Sequence, residues 1–295
     1  MPAHSLGGPD ATWILDLGPG GAELLAWLGS PVREAAVLTT LGVSATQRLA
    51  YRVELADGRT VKLRRAATEE RARSFTQLAA AVGDPRLARV LARRGDVTLE
   101  EWVPGTPLDR LELRDAHLAE GAGLLAAIHL ADVPAGFPRA RAVSTEAVRS
   151  GIETALRALL DAGAVEESLA WRLRAAAGKR DPRSAPSGII HTDLCAENLV
   201  VDPDGVVRAV DNEGLRIGPT GFDLARVWYR WPMSASAWAT YVSAYARLAD
   251  PEPSLAHFAF WKLAAVLHSA RVRIRRGIAA AEVPLARLRA LAREL

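Results

Sequence analysis

The pattern of the sequence changes about a third of the way along the chain, and this change limits the folds available to it. RLAYRVEL and TVKLRR alternate apolar and polar residues on either side of an Asp57-Gly58 turn, which predicts a β-hairpin. A second hairpin is predicted in VLARRGDVTLEEW, and VLTTLG reads as a further strand. From Leu108 onward the periodicity is helical. We therefore expect an α+β protein with a small antiparallel-sheet N-terminal lobe over residues 1–102 and a larger, mainly helical C-terminal lobe over residues 103–295.

The helices are predicted from periodicity and from their caps. TEERARSFTQLAAAV begins with a Thr cap followed by two acidic residues, which is typical of a helix N-terminus. The predicted helical segments are residues 22–28, 68–82, 110–131, 144–162, 165–177 and most of 222–295.

The composition is that of a globular protein, with 49% hydrophobic and 24% charged residues. The net charge of +3 does not indicate general polyanion binding, and we expect no nucleic-acid partner. The basic run Arg271–Arg276 keeps a nucleic-acid-binding alternative open. No segment reads as a signal peptide or a membrane span, and the single cysteine, Cys195, fits a reducing compartment. The expectation is a cytoplasmic protein without a membrane partner.

The segment HTDLCAENLV (191–200) concentrates polar groups beside a predicted strand, and such groups need partners or a task. Phosphoryl transfer from a nucleotide requires a carboxylate to accept the proton of the acceptor hydroxyl and hard oxygen ligands for Mg²⁺. Asp193 is the candidate base. Asn198, five residues later, and Asp211, after VVRAV, are the candidate metal ligands.

The same reaction needs a cation for the phosphates, and Lys62 in the predicted third strand is the candidate. Lys62 is one of only three lysines among 37 basic residues, so it marks a position at which arginine would not serve. Glu70, or alternatively Glu69, on the following helix is the candidate carboxylate that orients it.

These motifs resemble the aminoglycoside phosphotransferase and choline kinase superfamily, which has a protein-kinase-like fold. HTDLCAEN matches the H-x-D-x-x-x-x-N catalytic loop, and VDNEG followed by GFDLARVW is similar to the segment after it. EEWVPGTPL (100–108) resembles the hinge of that family, and LLAAIH (124–129) resembles one of its helices. The likeness runs in order from about Leu38 to Trp228.

The resemblance implies ATP and Mg²⁺ as cofactors. It implies that Lys62 contacts the α- and β-phosphates and that the backbone of Glu101–Val103 holds adenine. Ser44 would act from the phosphate-covering loop LGVSATQRLAY, which has a single glycine and no G-x-G-x-x-G motif. Asp223 would be structural, and His191 would support the catalytic loop without taking part in the chemistry.

The acceptor implied by the resemblance is a small, cationic molecule with a hydroxyl group: an aminoglycoside-like antibiotic, an aminosugar or a choline-like amino alcohol. Glu213, Trp228 and Trp231 are candidate substrate contacts, with the aromatic pair able to meet a cation through the ring faces. A core role for the same tryptophans is the alternative. The oligomeric state is not predicted.

Two further alternatives concern the class of protein and its chemistry. A non-catalytic nucleotide-binding pseudokinase is disfavoured because Lys62, Asp193, Asn198 and Asp211 are all present. A Cys195–His191 nucleophile is disfavoured because no third orienting group is evident, and a zinc site at the same residues lacks a fourth ligand.

Overall fold

The structure, a computed structural model, describes residues 4–5, 12–38, 49–138, 142–182 and 184–294. It is a mixed α+β fold. The strands are β1 (His4–Ser5), β2 (Val32–Val37), β3 (Leu49–Leu55), β4 (Thr60–Arg65), β5 (Val90–Arg94), β6 (Val97–Glu101), β7 (Thr106–Pro107), β8 (Ser187–Ile190), β9 (Leu199–Val201), β10 (Val207–Ala209) and β11 (Arg216–Pro219). The helices are α1 (Thr12–Leu28), α2 (Glu69–Val82), α3 (Asp115–Leu130), α4 (Thr145–Asp161), α5 (Glu167–Arg180), α6 (Thr220–Arg230), α7 (Ala235–Tyr245), α8 (Glu252–Leu255), α9 (Phe258–Ile274) and α10 (Glu282–Glu294).

The residues group into two compact units. The first is Met1–Thr106 together with Val200–Glu213, and the second is Pro107–Leu199 together with Gly214–Leu295. The predicted lobes, residues 1–102 and 103–295, stay a prediction, and the first compact unit also takes in Val200–Glu213. The hairpin of β9 and β10 belongs to the first unit because the backbone of Ala209 exchanges hydrogen bonds of 2.8 and 2.9 Å with Arg86 and Ala88.

The first unit is built on an antiparallel sheet with the strand order β1-β2-β3-β4-β6-β5. Its apolar core lies between the sheet and α1, and it includes Leu17 and Leu24 of the helix and Val53, Leu63 and Leu99 of the strands. The helix α1 is kinked at Gly18, which has a φ of 65° and precedes Pro19. Burial of these side chains fixes which face of each strand points to α1.

The alternation in β4 separates an apolar face from a charged face. Val61 and Leu63 point into the core with α1, so Lys62 and Arg64 emerge on the opposite face. On that face Arg64 lies with Ala72 and Phe75 of α2 around a small cavity. Both cationic side chains are therefore enclosed, although they belong to a strand of a small sheet.

The second unit is mainly helical, and its core is centred on α9. Leu156 of α4, Leu173 of α5, Ala225 of α6 and Leu288 of α10 pack with Val266 in one apolar cluster. The only regular sheet described wholly inside this unit is the antiparallel pair of β8 and β11. It matters for the site because β8 ends immediately before the loop 191–198 and β11 ends immediately before α6.

Most predicted elements are confirmed. The Asp57-Gly58 hairpin joins β3 and β4, with Gly58 at a φ of 88°. Thr68 caps α2 through a 3.2 Å hydrogen bond from the Arg71 backbone. The helix predicted at residues 22–28 is longer and starts at Thr12. The strand described before the first hairpin is β2, which ends at Val37, where the predicted strand VLTTLG begins. The rest of VLTTLG after Leu38 lies outside the described residues.

None of the helices that the structure describes is long and apolar enough to cross a bilayer.

Candidate active site

Lys62 and Arg64 bring two cations to the charged face of β4, where carboxylates from other segments meet them. The register pairs Lys62 with Glu100 of β6, so the two side chains share a face. Nζ of Lys62 lies 2.5 Å from Oδ1 of Asp211 and 3.7 Å from Oε2 of Glu100. The lysine is thus held by two carboxylates, one from the neighbouring strand and one from the segment after β10.

Arg64 is the centre of this charge cluster. It is 3% exposed, its Nε lies 3.2 Å from Oε1 of Glu100, and its other guanidinium nitrogens contact Asp211 and Glu213. Burial alone would lower the pKa of the guanidinium, yet the three carboxylates keep that pKa above its ordinary value. Two cations, Lys62 and Arg64, thus face three carboxylates on this side of the sheet.

Asp211 is held in an unusual backbone conformation. Its φ is 59°, a left-handed value that few residues other than glycine adopt. Lys62 and Arg64 both contact the same oxygen of the carboxylate, Oδ1. Burial alone would raise the pKa of Asp211, but the charges of Lys62 and Arg64 outweigh burial, so the pKa lies well below its usual range. The group is ionised at neutral pH, as a metal ligand must be.

The predicted hinge begins where β6 ends. The side chain of Glu101 accepts 2.9 Å hydrogen bonds from both terminal nitrogens of Arg208, and Val103 is buried in a small apolar cluster with Ala88 and Val200. These contacts fix the course of Glu101–Val103, the segment whose backbone is the candidate adenine contact. The adenine role itself stays a prediction.

Glu70 and Ser44 are two further candidate nucleotide contacts. Glu70 lies exposed in the first turn of α2, while Glu69 beside it pairs with Arg73 and Arg93. Glu100 is a carboxylate that contacts Lys62, and the pairing of Lys62 with Glu70 or Glu69 stays a prediction. Ser44 lies outside the described residues.

In the second unit, Asp223 of α6 shapes the loop 191–198. Its carboxylate accepts 2.7 Å hydrogen bonds from the backbone N–H groups of both His191 and Thr192, and Nε2 of His129 lies 3.1 Å from it. Nδ1 of His129 in turn lies 2.8 Å from the hydroxyl of Tyr245. Asp223 is fully buried, so this carboxylate is a structural anchor with all its contacts inside the unit.

The anchored loop includes a strained residue directly before Asp193. Thr192 has a φ of 65°, an outlier for a β-branched side chain. Its N–H is held by Asp223, its carbonyl oxygen accepts a 2.9 Å hydrogen bond from Nε of Arg226, and its hydroxyl donates to Gly214. These contacts stabilise the strained conformation and so fix the direction in which Asp193 leaves the loop.

The side chain of Asp193 is 34% exposed, so it is open to a reactant from solvent. Its Oδ1 accepts hydrogen bonds from Arg226 at 3.2 Å and from Arg230 at 2.8 Å. Nδ2 of Asn198 donates to the backbone oxygen of Asp193 at 2.9 Å and to Oδ2 at 3.4 Å. The backbone carbonyl oxygen of Asp193 only accepts hydrogen bonds, so the amide of Asn198 directs its donor Nδ2 to that oxygen. Its Oδ1 is then the atom available to a ligand.

The three candidate substrate contacts, Glu213, Trp228 and Trp231, differ in their structural environments. Glu213 is in the charge cluster with Arg64. Trp231 is 3% exposed and packs edge-on against Tyr241, the position of a core residue. On α6, Trp228 is two residues from Arg226 and Arg230, so it lies on the opposite side of the helix from the contacts to Asp193. Their substrate roles stay predictions.

The ring of Trp228 has cations of the protein itself over it. Arg287 lies 4.3 Å and Lys262 5.1 Å from the ring centroid. An aromatic face with two such neighbours already makes the cation–π contacts that a cationic acceptor would offer.

His191 and Cys195 are both fully buried. Nδ1 of His191 lies 3.3 Å from the backbone N–H of Asp193, a contact that supports the loop. Burial and, after it, the charge of Asp193 raise the pKa of the Cys195 thiol to about 12. A thiol of this kind is a poor nucleophile, so the geometry favours a structural role for both residues.

This geometry agrees with the comparison of the sequence with known protein families. The model of the phosphotransferase enzyme family (APH) matches residues 38–261. The chain belongs to this family. The resemblance proposed from the motifs is thereby confirmed, and so is the prediction of a small-molecule phosphotransferase. None of the curated proteins compared with the chain matches it.

Solved structures of other phosphotransferases share the fold of this family member. A choline/ethanolamine kinase family protein from Mesorhizobium loti is 18% identical, with a TM-score of 0.65 over 96% of this chain and 93% of that chain. Choline kinase LicA from Streptococcus pneumoniae is 12% identical, with a TM-score of 0.67 over 93% and 97%. An aminoglycoside-3′-phosphotransferase of type VIII is 22% identical, with a TM-score of 0.55 over 78% and 92%. The predicted kinase-like fold is confirmed.

The residues of this phosphotransferase fit the groups that its family implies. The carboxylate of Asp211 and the amide oxygen of Asn198 are hard oxygen ligands of the kind that Mg²⁺ takes. Lys62 is a cation of the kind that phosphate groups need, and it lies against the carboxylate of Asp211.

Sequence reasoning missed several residues of the phosphotransferase site. Arg64 stands two residues after Lys62 in an alternating strand, so a shared face was readable from the sequence. Arg226 and Arg230 stand four apart in the predicted helix after GFDLA, which places them on one side of it. His129 is in the segment LLAAIH, and its contact with Asp223 depends on the fold.

Proposed function

We propose that the chain transfers the γ-phosphoryl group of ATP, in the presence of Mg²⁺, to a hydroxyl group of an aminoglycoside-like antibiotic or an aminosugar. Phosphorylation would inactivate such an antibiotic, and the activity would be cytoplasmic. The observation that carries the proposal is the half-buried carboxylate of Asp193 on a loop whose backbone is fixed by Asp223. A positioned, accessible carboxylate of this kind can accept the proton of an incoming hydroxyl.

The residues of the chain would divide the remaining tasks. Lys62 would bind phosphate oxygens, the backbone of Glu101–Val103 would hold adenine, and Asn198 with Asp211 would hold magnesium. When bound, the metal would neutralise charge that develops on the phosphates. Asp193 would accept the proton as the oxygen of the acceptor bonds to phosphorus.

A second candidate acceptor is a choline-like amino alcohol. It is favoured by the fold shared with a choline/ethanolamine kinase family protein and with choline kinase LicA. Both acceptor classes have a hydroxyl group near a cationic nitrogen, so one panel of compounds tests them together.

The test is phosphorylation of a panel that includes aminoglycosides, glucosamine, choline and ethanolamine, followed by ADP release and by the mass of the product. We expect one class to gain one phosphoryl group. Asp193→Ala should lower kcat by roughly 10²–10⁴-fold, the usual contribution of a positioned base, and leave binding of magnesium nucleotide unchanged. Asp161→Ala, an exposed aspartate at the end of α4, is the control.

Full turnover by Asp193→Ala would show that the role of Asp193 is wrong. Magnesium-dependent nucleotide binding with no phosphorylation of any compound would favour the non-catalytic alternative.

A further inference from the structure

Two arginines of α6 hold the loop that presents Asp193. Arg226 and Arg230 are four residues apart and so project from one side of the helix. Nε of Arg226 donates to the carbonyl oxygen of Thr192 at 2.9 Å, and its Nη2 donates to Oδ1 of Asp193 at 3.2 Å. Nη1 of Arg230 donates to the same Oδ1 at 2.8 Å. Both guanidinium groups therefore meet on one carboxylate oxygen.

Arg230 is itself fixed at its other nitrogen. Its Nη2 lies 3.1 Å from Oε2 of Glu197 and 3.6 Å from Sγ of Cys195. A guanidinium is planar, so contacts at two nitrogens fix its orientation as well as its position. Glu197 is exposed and Arg230 is partly exposed, which makes the pair less critical for the core than the buried Arg226.

The contacts make the two oxygens of Asp193 unequal. Oδ1 accepts from two guanidinium groups, whereas Oδ2 is contacted by Nδ2 of Asn198 at 3.4 Å, a long hydrogen bond. The lone pairs of Oδ1 are directed at the arginines. Oδ2 is the oxygen that is more open to an additional donor.

We propose that Arg230 is a positioning residue for phosphoryl transfer, which by holding Oδ1 of Asp193 directs Oδ2 to the hydroxyl of the acceptor. This inference rests on the proposed role of Asp193 as the base. Arg230 acts through Asp193, and Glu197 acts through Arg230. In the reaction the hydroxyl proton goes to Oδ2, while the acceptor oxygen bonds to phosphorus and the bond to the leaving oxygen of ADP breaks.

The experiment measures ADP release from magnesium ATP, with water as the acceptor and again with the panel compound that raises the rate most. Arg230→Gln should lower kcat by about 10- to 100-fold, because a charge-assisted hydrogen bond to the base is lost. The KM for ATP should stay within about twofold, since no nucleotide contact is removed. Arg230→Lys should be intermediate, because an ammonium group cannot hold Asp193 and Glu197 in a fixed plane.

Two further variants separate a positioning role from a structural one. Glu197→Gln should lower kcat in the same direction by a smaller factor, with an unchanged thermal midpoint. In an Asp193→Ala background, Arg230→Gln should produce no further loss, because a residue that acts through Asp193 has nothing left to position. Arg174→Gln, which breaks a surface pair with Glu153 in the same unit, is the control.

The results that would overturn the inference are distinct from those that would overturn the proposed function. A normal kcat in Arg230→Gln, or a loss that multiplies with that of Asp193→Ala, would overturn the role of Arg230 alone. If Arg230→Gln does not fold, Arg230→Lys and Glu197→Gln decide by the same criteria. Normal kcat in Asp193→Ala would overturn the role of Asp193 as the base, and with it the role of Arg230. No ADP release by the wild-type protein under any condition would overturn the proposed function itself.

Discussion

Nζ of Lys62 lies 2.5 Å from Oδ1 of Asp211, and this ion pair joins the two groups proposed to bind phosphate and magnesium. Each partner neutralises the other in the absence of a nucleotide. The pair keeps a buried cation and a partly buried carboxylate compatible with the fold. If magnesium nucleotide binds as proposed, its phosphates would contact Lys62 and its metal would contact Asp211, in place of the contact between the two side chains.

Replacing Asp211 with asparagine should remove the magnesium dependence of nucleotide binding. Asparagine keeps the size of the side chain but supplies no negative charge for the metal. Compared with the wild type, we expect the variant to bind ATP at least about tenfold more weakly in the presence of Mg²⁺ and with similar affinity in EDTA. Calorimetric titration measures both. Asp96→Asn, which affects a carboxylate paired with Arg65, is the control, and an unchanged magnesium effect would contradict the assignment.

Replacing Arg64 with methionine should destabilise the protein by about 3–5 kcal/mol, because it removes one partner of a buried ionic cluster. Glu100, which is 2% exposed, and Glu213 would each lose the guanidinium of Arg64 as a partner. The free energy of unfolding in urea measures the effect. Arg174→Met should leave that free energy unchanged, since Arg174 is in a solvent-exposed pair. A loss of less than about 1 kcal/mol in Arg64→Met would be incompatible with this account.

A pair of matched variants decides which carboxylate orients Lys62. Glu100→Gln should lower kcat/KM for ATP by about tenfold, because Glu100 shares the register position of Lys62 and lies 3.7 Å from Nζ. Glu70→Gln should have little effect, because Glu70 is exposed in the first turn of α2. Steady-state kinetics at varied ATP measures both. A larger effect of Glu70→Gln than of Glu100→Gln would support the predicted pairing of Lys62 with Glu70.

Asp223 should make the stability depend on pH. Burial alone would raise its pKa, but the hydrogen bond and charge of His129 and the backbone of His191 lower the pKa below its ordinary value. The pKa of an aspartate in an unfolded chain is about 3.9. Because the pKa of Asp223 is lower in the native state, its ionised carboxylate stabilises the fold fully above the unfolded-state pKa. This stabilisation is lost as the pH falls through the native-state pKa. Asp223→Asn should cost about 3 kcal/mol at pH 7.

Urea unfolding of the wild type and of Asp223→Asn between pH 7 and pH 3 measures this linkage. The difference between the two should be constant at neutral pH and shrink below about pH 4. A difference that grows on acidification would have the wrong sign for a carboxylate whose pKa is lowered.

Cys195 should resist alkylation in the folded protein. Its thiol is fully buried, and burial raises its pKa to about 12, so very little thiolate is present at pH 8. We expect no carboxamidomethylation by iodoacetamide over hours in buffer and complete modification in urea, measured by intact mass. Rapid modification of the native protein would mean that the loop 191–198 opens readily.

Local signals account for the parts of the fold that the sequence predicted well. The Asp57-Gly58 turn sets the register of β3 and β4, and Thr68 sets the start of α2. Each of these signals acts on residues close to it in sequence. The start of α1 was hidden because Gly18 and Pro19 have the composition of a loop, and packing of Trp13 and Leu17 in the core is what favours a helix there.

The candidate site likewise contains residues that local spacing predicts and contacts that depend on the fold. Asp193 and Asn198 became candidates from their spacing, because Asn198 follows Asp193 by five positions in one loop. The contact of Lys62 with Glu100 depends on which strands become neighbours: β4 pairs with β6, and Lys62 and Glu100 are 38 residues apart (100 minus 62) in sequence. Contacts of Arg230 with Asp193 likewise depend on where α6 lies after folding, which no local pattern specifies.

The hydrogen bonds of Asp223 to two successive N–H groups have a consequence for protein engineering. The eight residues HTDLCAEN look portable, since they hold a carboxylate and an amide at a fixed spacing. Transplanted onto a foreign scaffold without α6, they would lose the carboxylate that bends Thr192 and the guanidinium groups that aim Asp193. The smallest transferable module is the loop together with its helix.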